Sequence, residues 1–349
     1  MASGSIVRRV ETVRCTWGCP RTIPGSYIYY TAPSRPTMSN SSLPRTADRA
    51  DRADIPATAA TATAAVSQTA LHAVENDIVI ELPGREPVKA RTYGVRTGRV
   101  PAGTPAQPLV LHFHGGTFAC GDLDDGRCVS RLLVEAGAVV VSMAYPLAPL
   151  HPFPDAIEVG YEALGWLYKQ RAKFAGKGAQ VYLAGEEAGG NLAASLALIA
   201  RDRAHPPLAG QLLLSPMLDP CVGTASMRDA TPDSVEVTDC KYFKGWKDYL
   251  KCPRDAEHPY AVPGSARRLA DLAPTLVLTG QDDPMRDEAL SYAKRLQDAG
   301  IPVRSQVLAS AQGWPEALAD PATADSACPC SASVLQQFRL FFETTQPPR

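Results

Sequence analysis

The sequence predicts an α/β protein: a mainly parallel central sheet with helices on both faces. Three observations predict it. Short apolar runs of strand length recur along the chain, as in PLVLHFH (108–114), AVVVSMAY (138–145) and PTLVLTG (274–280). Helix-length segments separate them, and alternation of this kind implies parallel strands covered on both faces. Glycine-rich turns at 114–117 and 185–190 follow two of the strands directly, at the carboxyl ends where ligands of such sheets collect.

The elements follow in chain order. Residues 1 to about 75 lack apolar periodicity; TADRADRADIPATAATATAAVSQTA joins an ADR repeat to an Ala/Thr tract, a composition that cannot bury a core. This segment is expected to be disordered or low in complexity. Met38 opens MSNSSLPRTADRA, so 1–37 is read as an over-extended translation start. From 76 to 349 the pattern is that of a single folded domain. NDIVIELPG and PVKARTYG read as two strands around a turn, and the strand 108–114 comes next. A helix at about 124–136, the strand 138–145, a helix at 155–173 and the strand AQVYLAG (179–185) continue the alternation. A helix at 188–203, the strand GQLLLSP and an irregular insertion at about 219–262 come after it. The insertion contains CKYFKGWKDYL, whose Tyr242, Phe243, Trp246 and Tyr249 fall at helical spacing and are expected to pack the insertion on the sheet. The strand 274–280, a helix at 286–299, the strand VRSQVLA and the amphipathic helix VLQQFRLFFETT complete the chain.

Composition narrows the function classes. The 349 residues are 45% apolar, enough for a large core, and 35 basic against 36 acidic residues give a net charge of -1. No basic stripe points to nucleic acid, and no run approaches the ~18 apolar residues of a membrane helix. Arg8 and Arg9 precede no apolar segment, and the nine scattered cysteines read as reduced thiols, so a cytoplasmic location is expected. Cys15–Cys19 and Cys328–Cys330 lack partners at zinc-site spacing, and no metal or cofactor is expected.

The stretch LAGEEAGGNL (183–192) has the layout of a nucleophile elbow, the G-x-S-x-G turn that lifts a serine above a parallel sheet. Gly185 and Gly189 hold the two glycine places, and Glu187 stands where the serine belongs. In HGGTF (114–118), Gly115 and Gly116 leave backbone N–H groups open to an oxyanion, and the Ala188 N–H would complete the hole.

These blocks, with AYPLAPLHPFPDA (144–156), LLLSPMLD and TGQDDPMRDEALSYAKRLQDAGIPV, resemble in order and content the hormone-sensitive-lipase-like branch of the α/β-hydrolases, which includes acetyl esterases and carboxylesterases. The resemblance covers roughly 76–345. It implies an α/β-hydrolase fold with a small helical cap formed by the insertion at about 219–262, His114 as the motif histidine, Asp283 as the triad acid and small or medium acyl esters as substrates. It also implies a histidine in a His-Gly-aromatic block after the last strand, where this chain has Gln312 in SAQGWPE.

A serine triad needs a nucleophilic oxygen, an imidazole to take its proton and a carboxylate to orient the imidazole. Here two of the three are replaced. Glutamine cannot accept and return a proton near neutral pH. The expected protein is therefore a pseudo-hydrolase that keeps a pocket for a small ester-like ligand or docks a protein partner. Glu187, at a helix N-terminus that favours anions, is expected to reach the Gly116 and Ala188 N–H groups and fill the hole. The alternative is a carboxylic-ester hydrolase or other acyl-transfer or elimination enzyme of non-standard chemistry that uses Glu187, as nucleophile or general base, and Asp283. A third reading is residual esterase activity with His258 of the cap as the base; Glu186 and Glu316 are further acids near in sequence.

Overall fold

The computed structural model describes residues 75–96, 103–230, 240–309 and 330–346. The expected low-complexity segment therefore lies outside the described residues except Glu75, with which the first strand opens.

Eight strands form one sheet in the order β1-β2-β4-β3-β5-β6-β7-β8. Strands β1 (Glu75–Ile80) and β2 (Val88–Tyr93) form an antiparallel hairpin, and β2 runs antiparallel to β4 (Val139–Met143). From β4 the pairing is parallel through β3 (Leu109–Phe113), β5 (Val181–Glu186), β6 (Gly210–Leu214), β7 (Thr275–Gly280) and β8 (Val303–Leu308). The five strands from β3 to β7 are buried along their whole length, as their unbroken apolar runs require of strands covered on both faces. The edges β1 and β8 are exposed or half-buried except for their last residues, Ile80 and Leu308.

Two apolar layers flank the sheet. On one face α2 (Asp155–Ala175), α3 (Glu187–Asp202) and α6 (Arg286–Asp298) pack on Leu111, Phe113, Leu183 and Val277. On the other, α1 (Arg127–Glu135) and α7 (Ser331–Thr345) cover Val110, Val140, Leu212 and Leu276. None of these described helices is long and apolar enough to cross a membrane.

Most boundaries follow the sequence, and the departures have local causes. Helix α1 starts at Arg127 rather than 124 because aspartates occupy the backbone ahead of it. Asp125 Oδ2 accepts the Asp122 N–H at 2.8 Å, and Asp122 Oδ1 accepts the Asp124 N–H at 2.7 Å. Helix α3 begins on Glu187 itself, one residue earlier than expected. The insertion at 219–262 is less irregular than its composition suggested: it holds α4 (Ala225–Ala230) and α5 (Lys241–Tyr249). The expectation of reduced cysteines fails at Cys221, which is disulfide-bonded, whereas Cys120, Cys240 and Cys252 carry free thiols.

Sheet order positions the site. Parallel register pairs Phe113 with Gly185, so the glycine turn after β3 and the turn after β5 leave the sheet side by side.

Candidate active site

The turn between β5 and α3 is tight enough to dictate its residues. A Cβ on Gly189 would stand 2.1 Å from the Phe113 carbonyl oxygen, and one on Gly185 would stand 2.3 Å from that of Gly189. Between them Glu187 adopts φ 45, a conformation rare for a residue with a side chain. That is the strained elbow geometry, kept although the residue it presents is a glutamate.

Glu187 is buried and points at the glycine turn after β3, where the Gly116 N–H donates to its Oε2 at 3.0 Å. The same oxygen would lie 3.1 Å from a Cβ on Gly115, so it passes directly over that glycine. Ala188, the second residue of α3, is fully buried beside it, within the first helical turn where N–H groups lack helical partners. The Glu187 carbonyl accepts the Met217 N–H at 2.9 Å, tying the elbow to the exit of β6.

The glycine turn is braced from below. His114 is buried, its Nδ1 lies 2.7 Å from the Gly115 oxygen, and its ring stacks on Tyr145 at 4.4 Å. A carbonyl only accepts, so Nδ1 carries the proton, and burial pushes the imidazole pKa down. The Tyr145 hydroxyl donates to the His114 oxygen at 3.0 Å and the Gly115 oxygen at 3.3 Å. Burial raises the Tyr145 pKa well above its ordinary value, and the charges of Glu187 and Glu186 add to this.

Asp283 is fully buried beyond the end of β7. Its Oδ1 accepts the Met285 N–H at 2.8 Å, and Oδ2 accepts the hydroxyls of Ser215 and Thr279. Gln312 and Glu316 lie outside the described residues. The structure places Glu187, Gly115, Gly116, Ala188, His114, Gly185 and Gly189 together, with Asp283 beyond the end of β7, two strands from β5 across β6. His258 stands against Phe153 and Tyr260, at 5.2 Å from each ring, and its Nδ1 accepts the Tyr260 N–H at 3.1 Å. Burial lowers its pKa.

Sequence reasoning missed a polar chain beneath the elbow. Glu186 Oε2 lies 2.9 Å from His112 Nε2, and His112 Nδ1 lies 2.9 Å from Ser142 Oγ, with Ser130 Oγ 3.4 Å away. The signal was present: His112 and Ser142 interrupt two apolar runs and face each other in register. Also missed was Asn191, whose amide donates to the Met217 and Ala261 carbonyls at 2.9 and 3.2 Å and joins α3 to both ends of the insertion.

The cap aromatics pack as expected. Phe118 stacks on Tyr249 at 4.1 Å and meets Trp246 at 4.9 Å, while the Phe153 N–H donates to the Tyr249 carbonyl at 2.8 Å.

The chain is similar to known proteins of this fold. A family model of the alpha/beta hydrolase fold matches residues 110–312. An esterase of Mycobacterium tuberculosis, LipI, is 37% identical over 202 residues, which are 56% of this chain and 62% of that protein. The gibberellin receptor GID1A of Arabidopsis thaliana is 34% identical over 208 residues, 56% of this chain and 59% of the receptor. The chain thus matches about three-fifths of the length of these curated relatives. Among solved structures, a thermostable esterase from Pseudomonas putida ECU1011 superposes with a TM-score of 0.66 at 29% identity, covering 79% of this chain and 84% of that one.

Proposed function

The chain belongs to the α/β-hydrolase family, in its carboxylesterase lineage, and from that premise we propose that it is a pseudo-hydrolase: a protein that has given up serine-dependent ester hydrolysis and keeps the fold for binding. The observation that carries this reading is the Gly116 N–H donating to Glu187 Oε2 at 3.0 Å. An oxyanion hole works because its donors are aimed at a charge that develops only in the transition state. A resident carboxylate takes up such a donor in the ground state, with the α3 N-terminus favouring its charge.

The magnitudes agree. Loss of nucleophile or base lowers the kcat of a serine hydrolase about 10⁶-fold, and oxyanion hole plus binding alone retain roughly 10³–10⁴ over water. Here Glu187 stands at the serine position and Gln312 at the base position, and the Gly116 N–H is taken up by Glu187 Oε2. The ligand is a small ester-like molecule, as the esterase relatives suggest, or a protein partner. A relative named as a receptor supports a binding role within this lineage. The reading calls for no cofactor, and a cytoplasmic location remains part of it.

A second reading draws on the same position. A carboxylate presented on the elbow could attack an acyl or alkyl carbon, forming an ester or anhydride at Glu187 as the leaving group departs with the bonding pair. Release would then need a base for water, which Gln312 does not supply.

Hydrolysis of p-nitrophenyl acetate and butyrate by the native protein and by Glu187→Ala separates the two. Background rates from both support the pseudo-hydrolase. Turnover by the native protein that vanishes in Glu187→Ala makes Glu187 catalytic and overturns it.

A further inference from the structure

The turn that meets Glu187 carries an unusual load. Behind Gly116, Thr117 has φ 54 and Phe118 has φ 68, two consecutive side-chain-bearing residues in the left-handed region. Thr117 is β-branched, for which that conformation is a true outlier, and such residues persist only where the surroundings hold them. What holds them comes from the cap. Helix α5 lies so close over the turn that a Cβ on Gly245 would stand 2.2 Å from the Thr117 carbonyl oxygen and 2.8 Å from its Cβ. Trp246, the next residue, and Tyr249, one turn further along α5, grip the Phe118 ring, Tyr249 face to face within 5° of parallel. The backbone beneath is tied as well: the Ala148 N–H donates to the Phe118 carbonyl at 3.0 Å, and Phe153 bonds Tyr249.

We infer that α5 and the 114–121 turn form one latch, in which seating Gly245 on Thr117 holds the left-handed pair in place and so keeps the Gly116 N–H on Glu187. Gly245 is then a positioning residue that acts through Thr117. Cap position and the Glu187 contact become a single two-state element: whatever lifts α5 lets Thr117 and Phe118 relax and turns the Gly116 peptide away from the carboxylate. The competing account is that the turn holds itself, since the Ala119 and Cys120 N–H groups both donate to the Gly116 oxygen, at 3.3 and 3.0 Å. The inference concerns the coupling and stands whether or not the site retains activity.

Gly245→Ala tests it on the full chain. Alanine is a better helix former than glycine, so α5 itself gains, while the added methyl has no room on Thr117. The readout is hydrogen exchange at the Gly116, Ala119 and Cys120 amides, resolved by mass spectrometry, with the strands as an internal reference. The latch predicts about tenfold faster exchange at these amides, on the scale of strain relieved at such positions, with strand exchange unchanged. Lys247→Ala, on the exposed face of α5, should leave them alone. Adding Thr117→Gly to Gly245→Ala should bring the rates back toward native, because glycine adopts the left-handed backbone without help. Native rates in Gly245→Ala overturn the latch in favour of a self-held turn. A rise shared equally by the strands also overturns it, since the effect would then be global. So does a double variant no slower than Gly245→Ala.

Discussion

Glu187 shows what one side chain does to an inherited turn. The elbow imposes φ 45 on whatever residue it holds, and the glycines at 185 and 189 are fixed by carbonyl oxygens that leave no space for a Cβ. These constraints are steric and do not depend on the chemistry of the side chain presented, so the strain is present with a glutamate on the turn. Thr117 is a second residue held against its preference, at φ 54. Thr117→Gly alone should stabilise the protein by about 1 kcal/mol, seen as a higher urea midpoint at unchanged slope. A lower midpoint would mean that the hydroxyl or methyl of Thr117 makes contacts worth more than the strain. Both positions were legible in the sequence as motif positions, because glycine spacing marks a turn whatever stands between. Where the Glu187 carboxylate points was a matter of reach, and the Gly116 N–H proves to be within it.

Among the elements, α6 carries a carboxyl group whose surroundings contradict its charge. Glu288 is buried; Oε1 accepts the Leu218 N–H at 2.9 Å, and Oε2 has no hydrogen-bond partner among the described residues. Burial pushes its pKa well above the usual carboxyl range, the charges of Asp219 and Asp283 push it further, and hydrogen bonds from the Leu218 and Asp219 backbone offset only part of this. An acid with a raised folded pKa keeps its proton in the folded state after the unfolded chain has released it, near pH 4.3. Folding then binds protons across that window, so this contribution is full below pH ~4.3 and is lost as pH rises towards the folded value. Glu288→Gln should match the native protein in acid and become progressively the more stable of the two as pH rises, in urea titrations at steps from about pH 4 to 8. Parallel curves would show that Glu288 ionises in the fold without penalty. Nothing in DPMRDEALSYAKRLQDAG announces this: on a helical wheel Glu288 is one more acid in a first turn where acids are common. Helix and strand positions are set locally by periodicity and were legible for that reason. The charge state of a buried acid depends on Asp219, from a segment 69 residues earlier, and periodicity carries no such information.

At the scale of the whole molecule, the site exists only because the sheet gathers it. The turns after β3 and β5 are neighbours through register, and β5, β6 and β7 follow one another, so Glu187, Ser215 and Asp283 leave adjacent strand ends. That order was not legible: the blocks run consecutively along the chain, whereas β4 lies outside β3 and the strands on either side of α1 exchange places. A scaffold that assembles the elbow, the glycine turn and the buried acid should support serine-triad hydrolysis if Ser and His are supplied together at positions 187 and 312. Glu187→Ser alone supplies an oxygen with no base to take its proton; Gln312→His alone supplies a base while Glu187 still contacts Gly116. Members of a triad act as a unit, so their effects do not add. We expect each single variant to stay within about tenfold of the native rate on p-nitrophenyl butyrate, and the double variant to exceed the product of the single effects by roughly 10² or more in kcat/KM. Such synergy would show that hole, acid and pocket have kept their register and that two substitutions account for the loss. A double variant no better than the singles would place the obstacle at Asp283, where the hydroxyls of Ser215 and Thr279 already converge on the oxygen Oδ2. Adding Ser215→Ala to that double variant would then separate an acid engaged elsewhere from a scaffold that has drifted out of register.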